Sequence, residues 1–358
     1  MSMVKRFFPL FIVFFVVVLL LAAAAGGYFH HWLNRPLVID DQVVVIDRGQ
    51  TFTSIAGELV EQGIISHPQL FRFYGRLTGM DTELRVGEYL IPAGMTVPDL
   101  VEHLSSGSVI QHIITLIEGR TLADNLQNWS NSRLKITDQQ YLTAEVKDLL
   151  QLEVSSPEGL FFSDTYYYAA GAADLDILRR AHIRLMDVLS EEWQSRKPGL
   201  PYKTPYEALV MASVIERETG IPAERPIIAG VFVRRLQQGM KLQSDPTVIY
   251  GMGDSYDGRI RSSDLKADTP YNTYRIKGLP PTPIASVGRE AIHAALNPAE
   301  GSALYFVAVG DGTHVFNSTL AGHNRDVRKY QLNRRKDYRS TLTEPDAQDA
   351  AVANREQE

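Results

Sequence analysis

The stretch TPYEALVMASVIERETG, from Thr204 to Gly220, has the clearest fold pattern in this chain of 358 residues. Thr204 is a typical N-cap, Pro205 suits the first helical position, and Glu207 completes a capping box. Gly220 is the residue type that commonly follows a helix end. The stretch therefore predicts one α-helix whose two ends are both defined by its own residues.

Two acidic residues, Glu216 and Glu218, fall on the apolar side of this predicted helix. At 100° per residue they share a broad arc with six apolar residues: Ala208, Leu209, Met211, Ala212, Val214 and Ile215. A carboxyl group against apolar surface in the last helical turn should have a raised pKa, which suits a general acid. The alternative is that each glutamate is a buried ion-pair partner, for instance of Arg217, Arg225 or Arg234. The helical pattern alone does not choose between these roles.

Residues 42–108, N-terminal to this helix, have the pattern of a small α+β unit. The β-branched run from Val43 to Ile46 predicts a strand, and the apolar spacing from Phe52 to Val60 predicts an amphipathic helix. A second helix and a returning strand follow, which gives the order β-α-α-β with one further short helix. Residues 109–335 are predicted to form a larger α+β domain, and the polar residues 336–358 a disordered tail.

The N-terminus carries an apolar segment of membrane-spanning length. No charged residue occurs from Phe7 to Phe29, and about 20 apolar residues suffice for a transmembrane helix. A cleaved signal peptide is the alternative, but its apolar core is normally shorter. Lys5 and Arg6 precede the segment, so the positive-inside rule places residues 1–6 in the cytoplasm and the residues after Trp32 outside it.

Charge and composition exclude several classes of function and several kinds of site. The chain has 42 acidic and 36 basic residues, a net charge of −6, and no cysteine. The negative charge gives no electrostatic reason to bind nucleic acid. The missing cysteines exclude disulfides, thiolate zinc sites and a cysteine nucleophile. The sequence also lacks the common phosphate-loop, zinc-protease and serine-hydrolase motifs.

Four ordered blocks of sequence resemble the signature blocks of the endolytic murein transglycosylases, the YceG-like (MltG) family. They are ASVIERETG at 212–220, KLQSDPTVIYGMG at 241–253, TPYNTYRIKGLPPTPI at 269–284 and THVFNSTLAGHN at 313–324. The stretch EGLFFSDTYYY at 158–168 fits the family as well. The chain departs from the family in two loops: Ser163 precedes Asp164 where many relatives have proline, and in the stretch TLIEG at 115–119 no proline precedes the Glu-Gly pair, as it often does in relatives.

The resemblance implies a fold class and a location. The expected protein is α+β, with an N-terminal transmembrane helix at 7–29, a small LysM-like β-α-α-β module at 42–108 and a larger catalytic domain at 109–335. The family has a single-pass anchor in the cell inner membrane, so the catalytic domain is expected in the periplasm. The LysM-like module either holds glycan or serves as a spacer between the membrane and the active site.

The resemblance also implies a catalytic residue and a reaction. The catalytic glutamate of the family is the second of the Glu-x-Glu pair, which is Glu218 here. It would cleave MurNAc-β-1,4-GlcNAc bonds in nascent glycan strands and form 1,6-anhydro-MurNAc ends on the products. Such cleavage would limit glycan length near the inner membrane. The candidate substrate-binding residues are Tyr271, Asn272, Tyr274, Gln243, Asp245, Asn317 and His314.

Each of these binding candidates has a structural alternative. The aromatic residues are equally consistent with core packing, Asp245 with bracing a turn, and His314 and His323 with structural histidines. The reaction needs no cofactor. No metal is expected either, because no third ligand is spaced to join the two histidines, and a calcium loop at Asp254 and Asp257 fails on spacing.

The expected partners are peptidoglycan glycan strands and the inner membrane and, by resemblance, peptidoglycan synthases; no nucleic acid is expected. Two hypotheses from other classes compete with the enzyme. A non-catalytic membrane-anchored peptidoglycan-binding scaffold would leave Glu216 and Glu218 with structural roles only. A pyridoxal-phosphate lyase is disfavoured by the anchor, since cytoplasmic metabolites would not reach the domain.

Overall fold

The computed structural model describes residues 4–37, 40–137, 146 and 156–332. The tail predicted at 336–358 lies outside these residues. The chain divides into two compact units. Unit 1 comprises Met1–His112 and Tyr167–Ala172, and unit 2 comprises Ile113–Tyr166 and Ala173–Glu358. The predicted domain boundary at 108/109 stays a prediction.

Unit 1 begins with one long apolar helix, α1 (Val4–Leu33). Its part from Phe11 to Leu33 has 23 residues, and the most apolar 18 consecutive residues of that part have a mean hydropathy of 2.6 and are not buried. Within the described residues it is the one helix long and apolar enough to cross a membrane. The predicted apolar helix is therefore present.

The remainder of unit 1 has the β-α-α-β order that the sequence predicts. The elements are β1 (Gln42–Ile46), α2 (Phe52–Glu61), α3 (Pro68–Thr78), β2 (Gly87–Ile91) and α4 (Val97–Ser106). β1 and β2 pair antiparallel with Val44 opposite Tyr89, and both side chains lie in a core with Leu59, Phe71 and Leu100. The LysM-like assignment of this unit stays a prediction.

The elements after residue 110 are mainly helical. They are β3 (Gln111–Thr115), α5 (Leu122–Gln127), β4 (Thr165–Ala169), α6 (Asp174–Gln194), α7 (Pro205–Glu218), α8 (Arg225–Gln237), α9 (Asp245–Met252), α10 (Arg289–Leu296), β5 (Tyr305–Ala308), β6 (His314–Asn317) and α11 (Leu320–Asp326). β3 pairs with β4. β5 and β6 form an antiparallel hairpin in which Phe306 lies opposite Phe316. The fold class α+β is thereby confirmed.

Helix α7 lies at the centre of unit 2, where it packs on α6, α8, α9 and α10. The predicted N-cap is confirmed, since the Thr204 hydroxyl accepts a hydrogen bond from the backbone N–H of Glu207. The predicted apolar arc is too narrow: every residue from Ala208 to Glu216 is buried, because helices surround α7 and leave it no solvent face.

The capping box predicted at the start of α7 is wrong, whereas Gly220 follows the helix end as predicted. The Glu207 carboxylate accepts a 2.5 Å hydrogen bond from the Lys203 backbone N–H and so does not close a capping box on Thr204. At the other end Thr219 is extended, and Gly220 is outside the left-handed region. The Thr219 hydroxyl instead accepts a 3.0 Å hydrogen bond from the Ile221 N–H, which turns the chain away from the helix.

Candidate active site

Glu218 is the last residue of α7, and its carboxyl group is half-buried at the surface of unit 2. The Ser244 hydroxyl donates a 2.5 Å hydrogen bond to Glu218 Oε1. Ser244 is buried and is the N-cap residue of α9. Its own backbone N–H donates to the Thr273 hydroxyl at 3.0 Å. The carboxyl group is thus held against a loop that two buried hydroxyl-bearing residues fix in place.

The surroundings of Glu218 keep its proton near neutral pH. Burial is the main cause that raises the pKa of Glu218 to about 7, and the negative charge of Asp245 raises it further. The Ser244 hydrogen bond, His314 and the positive charge of Arg235 act in the opposite direction. A carboxylic acid with this pKa carries its proton in a large fraction of molecules at neutral pH, as a general acid must.

The loop before α9 carries the one positive φ angle found for a non-glycine residue in the described part of the chain. That residue is Gln243, with φ 52°, and its side chain is exposed. Its N–H donates to the Thr273 carbonyl at 3.2 Å, and Arg235 Nη1 donates to the Leu242 carbonyl at 2.7 Å. A left-handed glutamine is uncommon and is often found at functional sites. The loop that carries Ser244 is therefore held in an unusual conformation by a buried arginine.

Tyr274 and Asp245 form a hydrogen-bonded pair next to this loop. The Tyr274 hydroxyl donates to Asp245 Oδ1 at 2.6 Å. Burial and the Asp245 carboxylate raise the pKa of Tyr274 above its usual range, so the phenol keeps its proton. Asp245 is an exposed side chain at the first position of α9. The pair places a negative charge and an aromatic ring beside the Glu218 carboxyl group.

Two other candidates from the same sequence block have roles inside the protein. Asn272 is 0% exposed; its amide donates to the Ala267 carbonyl at 2.7 Å and accepts from the Tyr274 N–H at 3.0 Å. With no exposed surface, Asn272 folds the loop that presents Tyr274. Tyr271 is hydrogen-bonded to Thr282 at 2.9 Å, and its ring packs edge-on against Tyr250. It is half-buried and so retains a partly accessible surface.

His314 is engaged with a glutamate that the sequence did not indicate. Its Nδ1 lies 2.8 Å from Glu224 Oε2, and its backbone N–H donates to Glu224 Oε1 at 2.8 Å. The Thr219 hydroxyl donates to the same carboxylate at 3.0 Å. Burial alone would raise the pKa of Glu224, but the hydrogen bonds from His314 outweigh it and leave the pKa below its usual value. Glu224 therefore connects β6 to the residue that directly follows Glu218.

Asn317 and His323 lie further along this hairpin and helix. The Asn317 amide donates to Asp326 Oδ2 at 2.8 Å, and its side chain packs against Gly322, where a Cβ would lie 2.5 Å from the amide oxygen. His323 stacks on Tyr305 with ring centroids 5.2 Å apart. No group of three potential metal ligands occurs among the described residues. Both histidines of this block contact protein groups, and the substrate-binding role of His314 stays a prediction.

The second glutamate of the pair, Glu216, faces a different set of residues. Arg225 Nη2 donates to Glu216 Oε1 at 3.0 Å, and the Gly288 N–H donates to Glu216 Oε2 at 3.0 Å. Glu216 and Arg225 are both buried, and Arg225 also pairs with Glu290. Both carboxylate oxygens of Glu216 are thus occupied, as the ion-pair alternative predicted for Arg225.

Two further glutamates have a raised pKa. Burial raises the pKa of Glu158 to about 7, but this side chain is buried and accepts from the Leu122 N–H at 2.9 Å. Burial and the nearby Glu216 carboxylate raise the pKa of Glu118, which is half-exposed and lies 3.8 Å from Arg225. Neither glutamate was among the predicted site residues. A raised pKa alone therefore does not identify the acid, and the contacts of each group must decide.

The comparisons with known proteins bear on the family. The model of the YceG-like family matches residues 44–329. The chain belongs to the YceG-like family. This confirms the resemblance inferred from the four sequence blocks.

Individual relatives of this YceG-like chain are found in several bacteria. A Bacillus subtilis protein named endolytic murein transglycosylase is 32% identical over 320 residues, which is 83% of this chain and 88% of the relative. A Streptococcus pneumoniae protein of the same name is 28% identical over 321 residues, 80% of this chain but only 58% of that longer relative. The crystal structure of a yceG-like protein from Listeria monocytogenes is 27% identical, with a TM-score of 0.48, and the match covers 80% of this chain and 99% of that one.

Residues from three of the four family blocks of this YceG-like chain, linked by hydrogen bonds, meet at or beside Glu218. The block at 212–220 contributes Glu218, the block at 241–253 contributes Ser244 and Asp245, and the block at 269–284 contributes Thr273 and Tyr274. Ser244, Thr273, Arg235 and Glu224 were not among the predicted site residues. The Ser-Asp-Pro triplet, an N-cap followed by proline, is the pattern that could have pointed to Ser244.

Proposed function

We propose that this YceG-like chain is an endolytic peptidoglycan lytic transglycosylase in which Glu218 is the single catalytic carboxyl group. Its curated relatives are named endolytic murein transglycosylases. The observation that carries the catalytic assignment is the contrast on α7: Glu218 keeps a raised pKa and one short hydrogen bond from Ser244, whereas both oxygens of Glu216 are bound by Arg225 and Gly288.

The reaction needs one carboxyl group that gives up a proton and then takes one back. Glu218 donates its proton to the glycosidic oxygen as the MurNAc C1–O bond breaks, so the GlcNAc residue leaves with a hydroxyl group. The C6 hydroxyl of the same MurNAc then bonds to C1, and its proton passes to the Glu218 carboxylate. No water is consumed, and the product is a 1,6-anhydro-MurNAc end. Ordinary glycosidases need a second carboxyl group because their nucleophile is water or the enzyme itself.

Ser244 and Asp245 have opposite electrostatic roles in this cycle. The Ser244 hydrogen bond stabilises the Glu218 carboxylate that forms after proton donation. The Asp245 charge disfavours that carboxylate and so keeps Glu218 protonated until the substrate takes the proton. Tyr274 keeps Asp245 in place, and the exposed Gln243 side chain together with the Tyr274 ring is available to contact the sugar.

The apolar helix α1 supports a membrane-anchored location for this activity. We place residues 1–6 in the cytoplasm and the residues after Trp32 on the periplasmic side of the inner membrane, as the two basic residues before the span favour. There the enzyme would cut nascent glycan strands near the membrane and limit their length, close to peptidoglycan synthases. The LysM-like unit either holds glycan there or serves as a spacer between the membrane and the active site.

Mass spectrometry of the products tests the proposal. Full-length protein in detergent would digest purified sacculi, in parallel with Glu218→Gln, Glu118→Gln and Glu300→Gln. Glu300 is an exposed glutamate of unit 2 and serves as the matched control. We expect internal fragments with 1,6-anhydro-MurNAc ends from the wild type, Glu118→Gln and Glu300→Gln, and none from Glu218→Gln.

Other outcomes would revise the assignment in defined ways. Hydrated reducing ends would mean a hydrolase that uses a second carboxyl group. Loss of product with Glu118→Gln and its retention with Glu218→Gln would transfer the acid role to Glu118. Binding of sacculi by all variants with no product from any of them would favour the non-catalytic scaffold.

A further inference from the structure

The apolar helix α1 continues without a break into the folded core of unit 1. Trp32, in its last turn, is 6% exposed and belongs to the same core as Val44, Phe71 and Leu100. Phe29, one turn earlier, packs partly buried against that core and stacks on Trp32. The end of α1 and the β-α-α-β fold are therefore one packed body, so unit 1 must lie directly at the surface of any membrane that α1 crosses.

Helix α3 contacts α1 just before its end through two side-chain pairs. The Phe73 ring packs edge-on against Phe29, with ring centroids 5.6 Å apart. The Tyr28 hydroxyl is hydrogen-bonded to Nε2 of His67, the N-cap residue of α3, at 2.9 Å. These two contacts hold α3 beside the residues of α1 that would leave the hydrocarbon region.

The outer side of α3 carries two large apolar residues that the protein does not cover. Phe73 is 56% exposed and Leu77 is 67% exposed. They are four residues apart, so they lie next to each other on one stripe of the helix. Arg72 and Arg76, also four residues apart, form the neighbouring stripe. We call these four residues the α3 face.

The two arginines of the α3 face have no ion-pair partner among the described residues. Both line a cleft of about 390 Å³ together with the hydroxyl-bearing residues Thr51, Thr53 and Thr82 and one acid, Asp81. Two guanidinium groups and one carboxylate leave a net positive charge there. Guanidinium groups bind phosphate oxygens in a bidentate manner, so the cleft has the charge and the donors that a lipid headgroup phosphate needs.

The height of the α3 face matches the membrane interface. The span from Phe11 to Leu33 is about 35 Å long at ~1.5 Å per residue, slightly longer than the ~30 Å hydrocarbon core. Phe29 therefore lies near the end of the hydrocarbon, and Phe73, which touches it, lies at the same depth. Apolar side chains bordered by arginines on one helix are typical of helices that lie in the interface.

We propose that the α3 face is a membrane-docking surface, in which Phe73 and Leu77 enter the interface of an anionic bilayer while Arg72 and Arg76 bind headgroup phosphates. The inference rests on the proposed anchoring by α1 and goes beyond it, because an anchor alone would leave unit 1 free to tilt. Docking fixes the orientation of unit 1 on the membrane.

Site-directed spin labelling of the full-length chain tests this surface. The chain has no cysteine, so single labels can be placed at Leu77→Cys, at Val18→Cys inside α1 and at Glu61→Cys at the exposed end of α2. The chains would be reconstituted in nanodiscs of phosphatidylglycerol with phosphatidylethanolamine, or of phosphatidylcholine alone. The readout is the ratio of collisions with oxygen, which enriches in lipid, to collisions with a water-soluble nickel chelate.

We expect the label at Leu77→Cys to show a ratio about threefold or more above that at Glu61→Cys in the anionic nanodiscs, since it would lie at the acyl boundary. The ratio should fall in phosphatidylcholine and with Arg72→Gln/Arg76→Gln. It should not fall with Arg179→Gln/Arg259→Gln, which removes the same charge from exposed arginines of unit 2.

Three results would overturn the proposal. The first is a Leu77→Cys label as water-accessible as the Glu61→Cys label, and the second is a ratio insensitive to both lipid charge and the arginine pair. The third is a Leu77→Cys label shielded from both reagents, which would mean that protein covers the face. The Val18→Cys label reports the anchor separately: if it is also water-accessible, anchoring itself has failed, and if it lies in lipid, only docking has failed.

Discussion

The last turn of α7 places two carboxyl groups, two residues apart, in two different surroundings. Glu216 points into a buried cluster where Arg225 and the Gly288 N–H occupy both of its oxygens. Glu218 points to a half-buried surface where Ser244 donates one hydrogen bond and Asp245 adds a like charge. The first surroundings bind both oxygens of the group, and the second favour a proton. The partners of an acid, more than its place on the helix, therefore decide which of these two groups is suited to give up a proton to a substrate.

The largest effect should come from Glu218→Gln. Loss of a general acid commonly lowers the rate by about 10²–10⁴-fold, and we expect a fall of about 10³-fold or more because the same group also serves as the base. The measurement is the initial rate of release of soluble fragments from sacculi, with Glu300→Gln as the control. A variant that keeps more than a tenth of the wild-type rate would contradict the assignment of the acid role to Glu218.

Glu218→Gln should also change the pH dependence of stability. The folded pKa of Glu218 is about 7, above the usual value for glutamate, so the acid form is favoured in the folded state. Its stabilising effect is complete at low pH and is lost as the pH rises towards 7. The variant cannot ionise, so it should gain thermal stability relative to the wild type at pH 8 compared with pH 5. If the difference in melting temperature between the variant and the wild type were the same at pH 5 and pH 8, the pKa of Glu218 would not be raised.

The next effect, from Glu216→Gln, should be mainly on the free energy of unfolding. Glu216→Gln leaves the buried Arg225 without its buried counter-ion, and breaking a buried ion pair commonly costs about 3–5 kcal/mol. We expect a loss at the lower end of this range, because Arg225 still pairs with Glu290, and an activity per folded molecule within a few-fold of wild type. Chemical denaturation and the sacculus assay measure the two quantities.

The control for Glu216 lies in the same cluster. Glu290 is 66% exposed as a side chain, so Glu290→Gln should lower the free energy of unfolding by less than about 1 kcal/mol. If Glu216→Gln abolished activity at unchanged stability, the division of roles between the two glutamates would be wrong.

The sequence predicted most of α7 because its N-terminal residues act locally. Thr204 and Pro205 define the start of the helix through contacts within one turn, and the structure has that start. The width of the buried surface was not predictable in the same way. It depends on four other helices that cover every side of α7, and a hydrophobic arc on a single helix carries no information about how many neighbours it has.

The sequence predicted several residues of the candidate site but few of the contacts between them. The pattern weighted Tyr271, Asn272 and Tyr274 equally, but the structure buries Asn272 and gives Tyr274 to Asp245. The bond from Ser244 to Glu218 joins residues 26 positions apart through a loop with a left-handed Gln243. Arg235, near the end of the preceding helix α8, holds that conformation through a hydrogen bond from its side chain to the Leu242 carbonyl, which helix and turn patterns do not indicate. The choice of Arg225 among three candidate arginines likewise depended on where α8 lies.

A smaller effect should follow from Ser244→Ala. The variant removes the hydrogen bond that stabilises the Glu218 carboxylate, and a hydrogen bond to a charged group contributes about 1.5–3 kcal/mol. We expect a roughly tenfold lower rate at the optimum and a shift of the alkaline limb of the pH–rate profile to higher pH. Ser244→Thr keeps a hydroxyl group and should restore part of the rate. A lower rate with an unshifted limb would mean that Ser244 only shapes the loop.

The smallest effect, and the one that separates electrostatics from structure, should come from Asp245→Asn. Removal of a like charge lowers the pKa of Glu218, so the alkaline limb should move to lower pH by about half a unit, which corresponds to ~0.7 kcal/mol. Tyr274→Phe keeps the Asp245 charge and serves as the matched control, with a limb close to that of the wild type.

Ser244→Ala and Asp245→Asn should thus move the same limb in opposite directions, which a general loosening of the loop would not do. Because Asp245 is exposed, 1 M salt should shrink its shift by screening and leave the shift from the buried Ser244 largely unchanged. Shifts of the same sign in both variants would show that the loop, and not the charge beside Glu218, sets its proton affinity.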